Sequence, residues 1–242
     1  MKSDRSVSVV VPVYNEKDIL AEGVGAMDDF LRAHFDRYEV LIIESGSTDG
    51  SSEASDRLAQ DYPNVRVIHE GARNGFGSAV RLGYRSARMD LVWLITADLP
   101  FPLESVLDAL PHLDANDAVL SYRVGDRRSV WRRTQSAVFN LLARRLLHLR
   151  TRHINSAFKL FKRDLIQRLS LQSNGWLLDA EILRRLEEAG VPWVEIPVPM
   201  IDRHGGSSSI HYTTGLKVAR ELFEFSANER RTARRNTAKE RS

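Results

Sequence analysis

A chain of 242 residues is long enough for one large α/β domain, and a compact domain of that size buries roughly 70–75% of its unfolded surface without covalent staples. It has no cysteine, so disulfides and thiolate metal sites are excluded. The formal charge of +3 is uneven: residues 228–242 carry six basic and two acidic side chains, which leaves the remainder at −1. A solvated terminus is the plain reading of that tail and a polybasic patch for anionic lipid the sharper one. No nucleic-acid motif or aromatic interleaving accompanies it.

The opening MKSDRSVSVVVPVYNE has an apolar run broken at Pro12, too short for a signal segment. No run of about 18 apolar residues occurs, so nothing is expected to span a bilayer. Residues 7–13 are β-branched and continuous, as in a strand buried on both faces. Asn15 offers an N-cap and Glu16 a first-turn acid to a helix reaching about residue 35. A second strand at 38–43 ends in the turn GSTDGS, where Thr48, Asp49 or Ser51 can cap a helix to about residue 62. A third strand at 65–69, a glycine loop passing into a helix, and a fourth strand at 91–95 follow. This alternation predicts a mostly parallel sheet with helices on both faces.

The second half is less regular. Strands are expected at 118–122 and 158–161, and helices at 163–169 and at 178–189, closed by Gly190. Residues 129–149 predict a long Arg-rich helix whose apolar face includes Val130, Val138, Leu141, Leu142 and Leu146. A last strand at 191–201 contains prolines and is expected at an edge. Residues 204–215 read as a loop and 216–225 as an amphipathic helix. The chain thus divides into one domain, 1–225, and a basic tail, 226–242.

In open parallel sheets ligands bind outside the carboxyl ends of the strands. Four features fall there: Pro12-Val13-Tyr14-Asn15-Glu16, residues 44–50, residues 73–77, and Ala97-Asp98. Each has a plain structural alternative. Asn15 and Glu16 can cap a helix, Asp49-Gly50 can make a turn, and Gly75 and Gly77 can serve left-handed backbone angles. GFGSAV lacks the third glycine of GxGxxG and follows the third strand, and no GxxxxGK[ST] occurs, so dinucleotide and P-loop sites are not expected. Glu44 suits a ribose or base. The stretch WLITADLPF ends its strand in one carboxylate, Asp98, either a metal ligand or a polar strand end.

VVVPVYNE, GSTDG, NGFGSAVRLGY and TADL, continued by SYR, RTQSAVFN, NSAFKLFKRD, DAEIL and EIPVPMIDRHGGSSS, resemble the family 2 glycosyltransferases of the GT-A fold. The order is similar to their dolichyl-phosphate mannose synthase and polyprenyl-phosphate glycosyltransferase branch. The resemblance implies an inverting enzyme moving a hexose from GDP-mannose or UDP-glucose to a polyprenyl phosphate, at the cytoplasmic face of a membrane. It places Pro12, Tyr14, Glu16 and Glu44 at the nucleoside, Arg73, Gly75 and Ala97 at the donor, and Asp98 at the diphosphate and a Mg²⁺ or Mn²⁺ ion. Arg123, Arg132 and Arg203 match phosphate-meeting positions, Glu181 the acid of the acceptor-side helix, and Ser136, Asp179 and Ser208 acceptor positions. The 216–225 helix and the tail would supply peripheral membrane contact.

A phosphate acceptor needs no general base, whereas a hydroxyl acceptor would call on Asp179 or Glu181. Three departures stand out. Thr96 and Pro100 alter the family's DADLQ, Ser45 replaces a second carboxylate, and His153 stands where an aspartate is common. They predict weak or dispensable metal dependence. They also keep open transfer to a soluble hydroxyl acceptor in natural-product biosynthesis, and a nucleotide-sugar binder without turnover.

Overall fold

The computed structural model describes residues 2–124, 130–201, 220–223 and 225–227, the side chains of 130–133 and 135 excepted. The Arg132 side chain, Arg203, Ser208, the predicted 204–215 loop and residues 228–242 of the basic tail therefore lie outside the described residues.

Among the described residues seven strands form one sheet: β1 (Val7–Val13), β2 (Tyr38–Glu44), β3 (Val65–His69), β4 (Leu91–Leu94), β5 (Ala118–Val124), β6 (Lys159–Lys162) and β7 (Trp193–Pro199), in the spatial order β3-β2-β1-β4-β6-β5-β7. The helices are α1 (Lys17–His34), α2 (Ser51–Asp61), α3 (Phe76–Ser86), α4 (Ser105–Ala109), α5 (Val130–Leu147), α6 (Arg163–Arg168) and α7 (Leu178–Ala189), with a 3-10 turn at Leu110–Asp114. The expected mixed α/β architecture is present. Strand β6 runs antiparallel to both β4 and β5, while the other pairings are parallel. Inserting one reversed strand leaves β4, β5 and β7 pointing the same way as β1, β2 and β3. The carboxyl ends of six strands and the amino end of β6 therefore share one edge.

Strands β1 and β2 are buried throughout, which is why their sequences show no polar alternation. Val7, Val9, Val11 and Val13 pack with Leu20, Val24, Met27 and Leu31 of α1, while Val10, Leu41 and Ile43 pack with Val80 and Tyr84 of α3. Strand β7 lies at the sheet edge, as its prolines predict. Strand β4 stops one residue earlier than expected, although the Ile95 amide still donates to the Val10 carbonyl at 3.2 Å.

The predicted apolar face of α5 is corrected at three positions, while Leu146 does pack against the core and the Val130 side chain lies outside the described residues. Val138, Leu141 and Leu142 stand 51%, 46% and 39% exposed, while Ala143 and Leu147 are buried at 0% and 2%. The helix carries two apolar stripes, and the fold buries the one through Ala143 and Leu147, four residues apart on one face. Residues 220–223 and 225 are helical within the expected 216–225 segment, and helix continues through 226 and 227, with Leu222 buried and Phe223 exposed. Among the described residues no helix is long and apolar enough to cross a membrane.

Trp93, Phe101 and Phe158 form a fully buried aromatic cluster, with ring centroids 5.4–6.3 Å apart. Trp93 belongs to β4 and Phe101 follows the Asp98 turn, so the cluster clamps that turn from below. Phe158→Ala is expected to destabilise the protein by about 3–5 kcal/mol in urea denaturation, and a loss under about 1 kcal/mol would show that the cluster does not seat the turn.

Candidate active site

The ends of β1 and β2 are joined by a hydrogen-bonded latch. The Asn15 amide donates to Ser47 Oγ at 3.0 Å, the Glu16 amide to Ser51 Oγ at 2.9 Å and the Lys17 amide to Asp49 Oδ2 at 3.1 Å. The start of α1 is therefore capped by the loop after β2. Asn15 does not cap α1 as the sequence suggested: it sits at φ 55° and accepts the Thr48 amide through Oδ1 at 2.8 Å. Helix α1 takes Glu16 as its N-cap residue by backbone position. Asp49 also accepts the Ser51 amide and hydroxyl at 2.9 and 2.6 Å. Burial alone would raise its pKa, but the Ser51 hydroxyl and the amides around it outweigh that and hold it below the usual carboxylate value.

Glu44, 2% exposed at the end of β2, is held from two sides. Its Oε1 accepts the Ser47 amide at 2.6 Å, and its Oε2 lies 3.1 Å from His69 Nδ1. His69 Nε2 in turn lies 2.9 Å from Asp56 Oδ1. Burial works to raise the Glu44 pKa, but the Ser47 amide and His69 outweigh it and leave it lowered. Asp56, then Glu44, raise the His69 pKa, because both ring nitrogens must donate to satisfy both carboxylates. Pro12 is buried opposite Ile43, and Tyr14 is half-buried. Arg73, exposed in the glycine segment, places its guanidinium carbon 4.1 Å from the Tyr14 ring centroid, so two expected donor residues meet.

Asp98 and Thr96 are half-buried just beyond β4, and the Thr96 hydroxyl donates to Asp98 Oδ1. The turn is tight: Leu99 has φ 44° and its amide donates to the Thr96 carbonyl at 3.1 Å. The turn rests directly on α1, where a Cβ on Gly23 would lie 2.2 Å from the Ala97 carbonyl oxygen. The Pro100 carbonyl accepts the Ile201 amide at 2.9 Å, tying the segment after β7 to this turn. Among the described residues no three His, Asp or Glu side chains gather to hold a metal. The donor set fits a divalent cation only in its lean form, with one carboxylate, the donor diphosphate and water completing the shell.

Of the residues expected at the acceptor, Arg123 is the penultimate residue of β5, and its amide donates to His153 Nδ1 at 3.0 Å, giving that histidine a structural bond. Ser136 lies half-buried on α5. Asp179 lies 3.0 Å from Lys159 Nζ; burial raises its pKa and Lys159 only partly offsets this. Glu181 is fully buried, and its two oxygens accept the Gln172 and Ser173 amides at 2.9 and 2.7 Å. Gly75 does sit at φ 104°, but Gly77 does not serve a left-handed angle: a Cβ there would lie 2.7 Å from the Ser173 and Gly175 carbonyl oxygens.

Sequence reasoning missed Glu70 and His69. Glu70 Oε2 accepts the Ser45 hydroxyl at 2.7 Å and Oε1 the Ser78 hydroxyl at 2.6 Å, so a carboxylate from the end of β3 stands beside the position where the resemblance expects one. The adjacent His69-Glu70 at a strand end was the available signal.

The model of the family described as "Glycosyl transferase family 2" matches residues 8–170. Glycosyltransferase AglD of Haloferax volcanii is 31% identical over 204 residues, which cover 79% of this chain and 32% of that protein. The undecaprenyl-phosphate mannosyltransferase of Micrococcus luteus is 25% identical over 215 residues, covering 84% of this chain and 87% of the relative. Among solved structures, glucosyl-3-phosphoglycerate synthase from Mycobacterium tuberculosis, in complex with Mn²⁺, UDP-glucose and phosphoglyceric acid, superposes with a TM-score of 0.68. It is 19% identical, with 92% of this chain and 80% of that one covered, and at that identity the likeness shows the fold.

The Glu44–His69–Asp56 chain gives a pH signature. Because the folded pKa of His69 is raised, its stabilisation is complete below about 6.5, the unfolded value, and is lost as pH rises through the folded value. Glu44 acts oppositely, with its contribution lost as pH falls through its lowered folded pKa. Thermal unfolding midpoints are therefore expected to decline on the alkaline side of that histidine titration, and His69→Gln is expected to remove the decline. A decline that persists unchanged in the variant would assign it to another group.

Proposed function

The chain belongs to glycosyl transferase family 2, and from that premise we propose that it transfers a hexose from a nucleoside-diphosphate sugar to a polyprenyl phosphate at a membrane surface. The nucleoside is received by Pro12, Tyr14, Glu16 and Glu44, and the diphosphate by Arg73 and the Asp98 turn. The observation that carries the reading is the fate of the two acids on α7. A hydroxyl acceptor needs a base, but Asp179 is ion-paired to Lys159 and both Glu181 oxygens hold backbone amides. An ionised phosphate needs no base. The Micrococcus relative's name supports the same acceptor class.

In the reaction a phosphate oxygen of the acceptor attacks the anomeric carbon. The bond from that carbon to the diphosphate oxygen breaks, and the nucleoside diphosphate leaves with the electron pair. Attack from the opposite face inverts the sugar carbon. Two anions must come together, so cations have to offset their repulsion. Arg123 at the end of β5, Arg132 and Arg203 are assigned that task, with Ser136 and Ser208 as hydroxyl donors to the acceptor phosphate. Asp98, oriented by Thr96, is the residue that would hold Mg²⁺ or Mn²⁺, which when bound neutralises charge developing on the leaving diphosphate. The exposed Val138, Leu141 and Leu142 stripe of α5 is assigned to the bilayer that carries the acceptor, alongside the 216–225 helix and the basic tail.

Purified protein given GDP-mannose or UDP-glucose, a divalent cation and undecaprenyl phosphate in vesicles is expected to form a lipid-linked sugar, and Asp98→Asn to lower kcat/KM by about 10²–10³-fold. Transfer to 3-phosphoglycerate with none to the lipid would overturn the acceptor assignment, and stabilisation by a nucleotide sugar without turnover would make the chain a binder. Serine at 138, 141 and 142 together is expected to weaken co-sedimentation with anionic vesicles and leave nucleotide-sugar binding unchanged. Equal sedimentation would remove α5 from the membrane contact.

A further inference from the structure

Residues 172–176 lie as a strap across the start of α3, and four contacts hold them there. Glu181 accepts the amides of Gln172 and Ser173. Arg81 Nη1 donates to the Gln172 carbonyl and to Asn174 Oδ1. The Ser78 amide lies 3.3 Å from the Asn174 carbonyl oxygen. The Trp176 ring stacks on Phe76 with centroids 4.7 Å apart and planes 13° from parallel.

The approach is close on the other side as well. A Cβ on Gly75 would lie 2.4 Å from the Asn174 carbonyl oxygen, and one on Gly77 would lie 2.7–2.8 Å from three strap atoms. The absence of side chains at Gly75 and Gly77 therefore lets the strap lie directly on the glycine segment, and the same segment carries Arg73 to the Tyr14 ring. Glu181 is fully buried, with both oxygens committed to the strap. Two strap amides depend on this one carboxylate, so losing that acceptor removes the contact that holds the start of the segment.

We propose that Glu181 is a positioning residue of the donor side: it fixes the 172–176 strap, the strap fixes the 73–77 glycine segment, and that segment sets Arg73 against Tyr14. The assignment rests on reading residues 73–77 as part of the donor pocket. It moves Glu181 away from the acceptor role that its place in the motif order suggests, and makes it act through backbone contacts.

Two variants test this from opposite sides. Glu181→Gln turns an NH₂ group toward a strap amide, donor against donor. Gly77→Ala leaves Glu181 intact and pushes the strap with a methyl. In the ligand-free protein, amide hydrogen exchange is expected to quicken at both 171–176 and 73–78 in each variant, while β1 and β2 keep wild-type rates. Whichever of UDP-glucose and GDP-mannose binds the wild type is expected to bind each variant about tenfold more weakly. The pH–rate profile should keep its shape. Faster exchange confined to 171–176, or unchanged nucleotide-sugar affinity in both variants, would overturn the proposal. So would an Glu181→Gln enzyme with unchanged donor KM that has lost the acid limb of its pH profile, since that marks a base. If the wild type binds neither nucleotide sugar, the donor reading itself fails, while the exchange coupling between the two segments still stands or falls on its own.

Discussion

The site depends on how the amides of Asn15, Glu16 and Lys17 are used. A helix start is ordinarily a ready receiver for a phosphate, because its first amides lack partners and the helix dipole favours negative charge. Here those three amides bond to Ser47, Ser51 and Asp49 of the neighbouring loop. The latch welds the ends of β1 and β2 into one rigid corner with Glu44 beneath it. It also leaves the start of α1 little to offer an anion, and the cationic side chain beside that corner is Arg73, held over the Tyr14 ring.

The same economy of free groups appears across the sheet edge. Lys159 and Asp179 neutralise each other in a nearly dry environment, where an unpaired charge would be far more costly than the pair. Glu70 ties Ser45 to Ser78, and Glu181 ties α7 to the strap. These acids hold the loops at the edge in place. Asp98 has a different setting: it lies in a strained turn, supported by α1 at Gly23 and by the buried rings of Trp93, Phe101 and Phe158. A carboxylate supported in this way meets a cation with little reorganisation.

Strands β1 and β2 were legible because burial on both faces writes β-branched runs that admit one reading, and β3, β4 and the first three helices followed from the alternation around them. The clustering of Tyr14, Glu44, Arg73 and Asp98 at one edge followed from strand direction alone. Other features were not legible, for physical reasons. Helix α5 carries two apolar stripes, and only the packing against the sheet decides that Ala143 and Leu147 go inward. Asn15 has the chemistry of a cap, but a loop thirty residues away supplies the cap instead. Asp179 and Glu181 look like free acids on a helix until burial and partners are known. The reversed strand β6, which leaves β5 running parallel to β1 and β4, leaves no mark in composition.

The central claim is that Asp98 alone among the described carboxylates couples a divalent cation to the donor diphosphate. Calorimetric titration of GDP-mannose and UDP-glucose into wild type and Asp98→Asn, each with Mn²⁺ and with EDTA, tests it most directly. The account predicts tighter binding with Mn²⁺ in the wild type and no such gain in the variant. An equal Mn²⁺ gain in both proteins would contradict it.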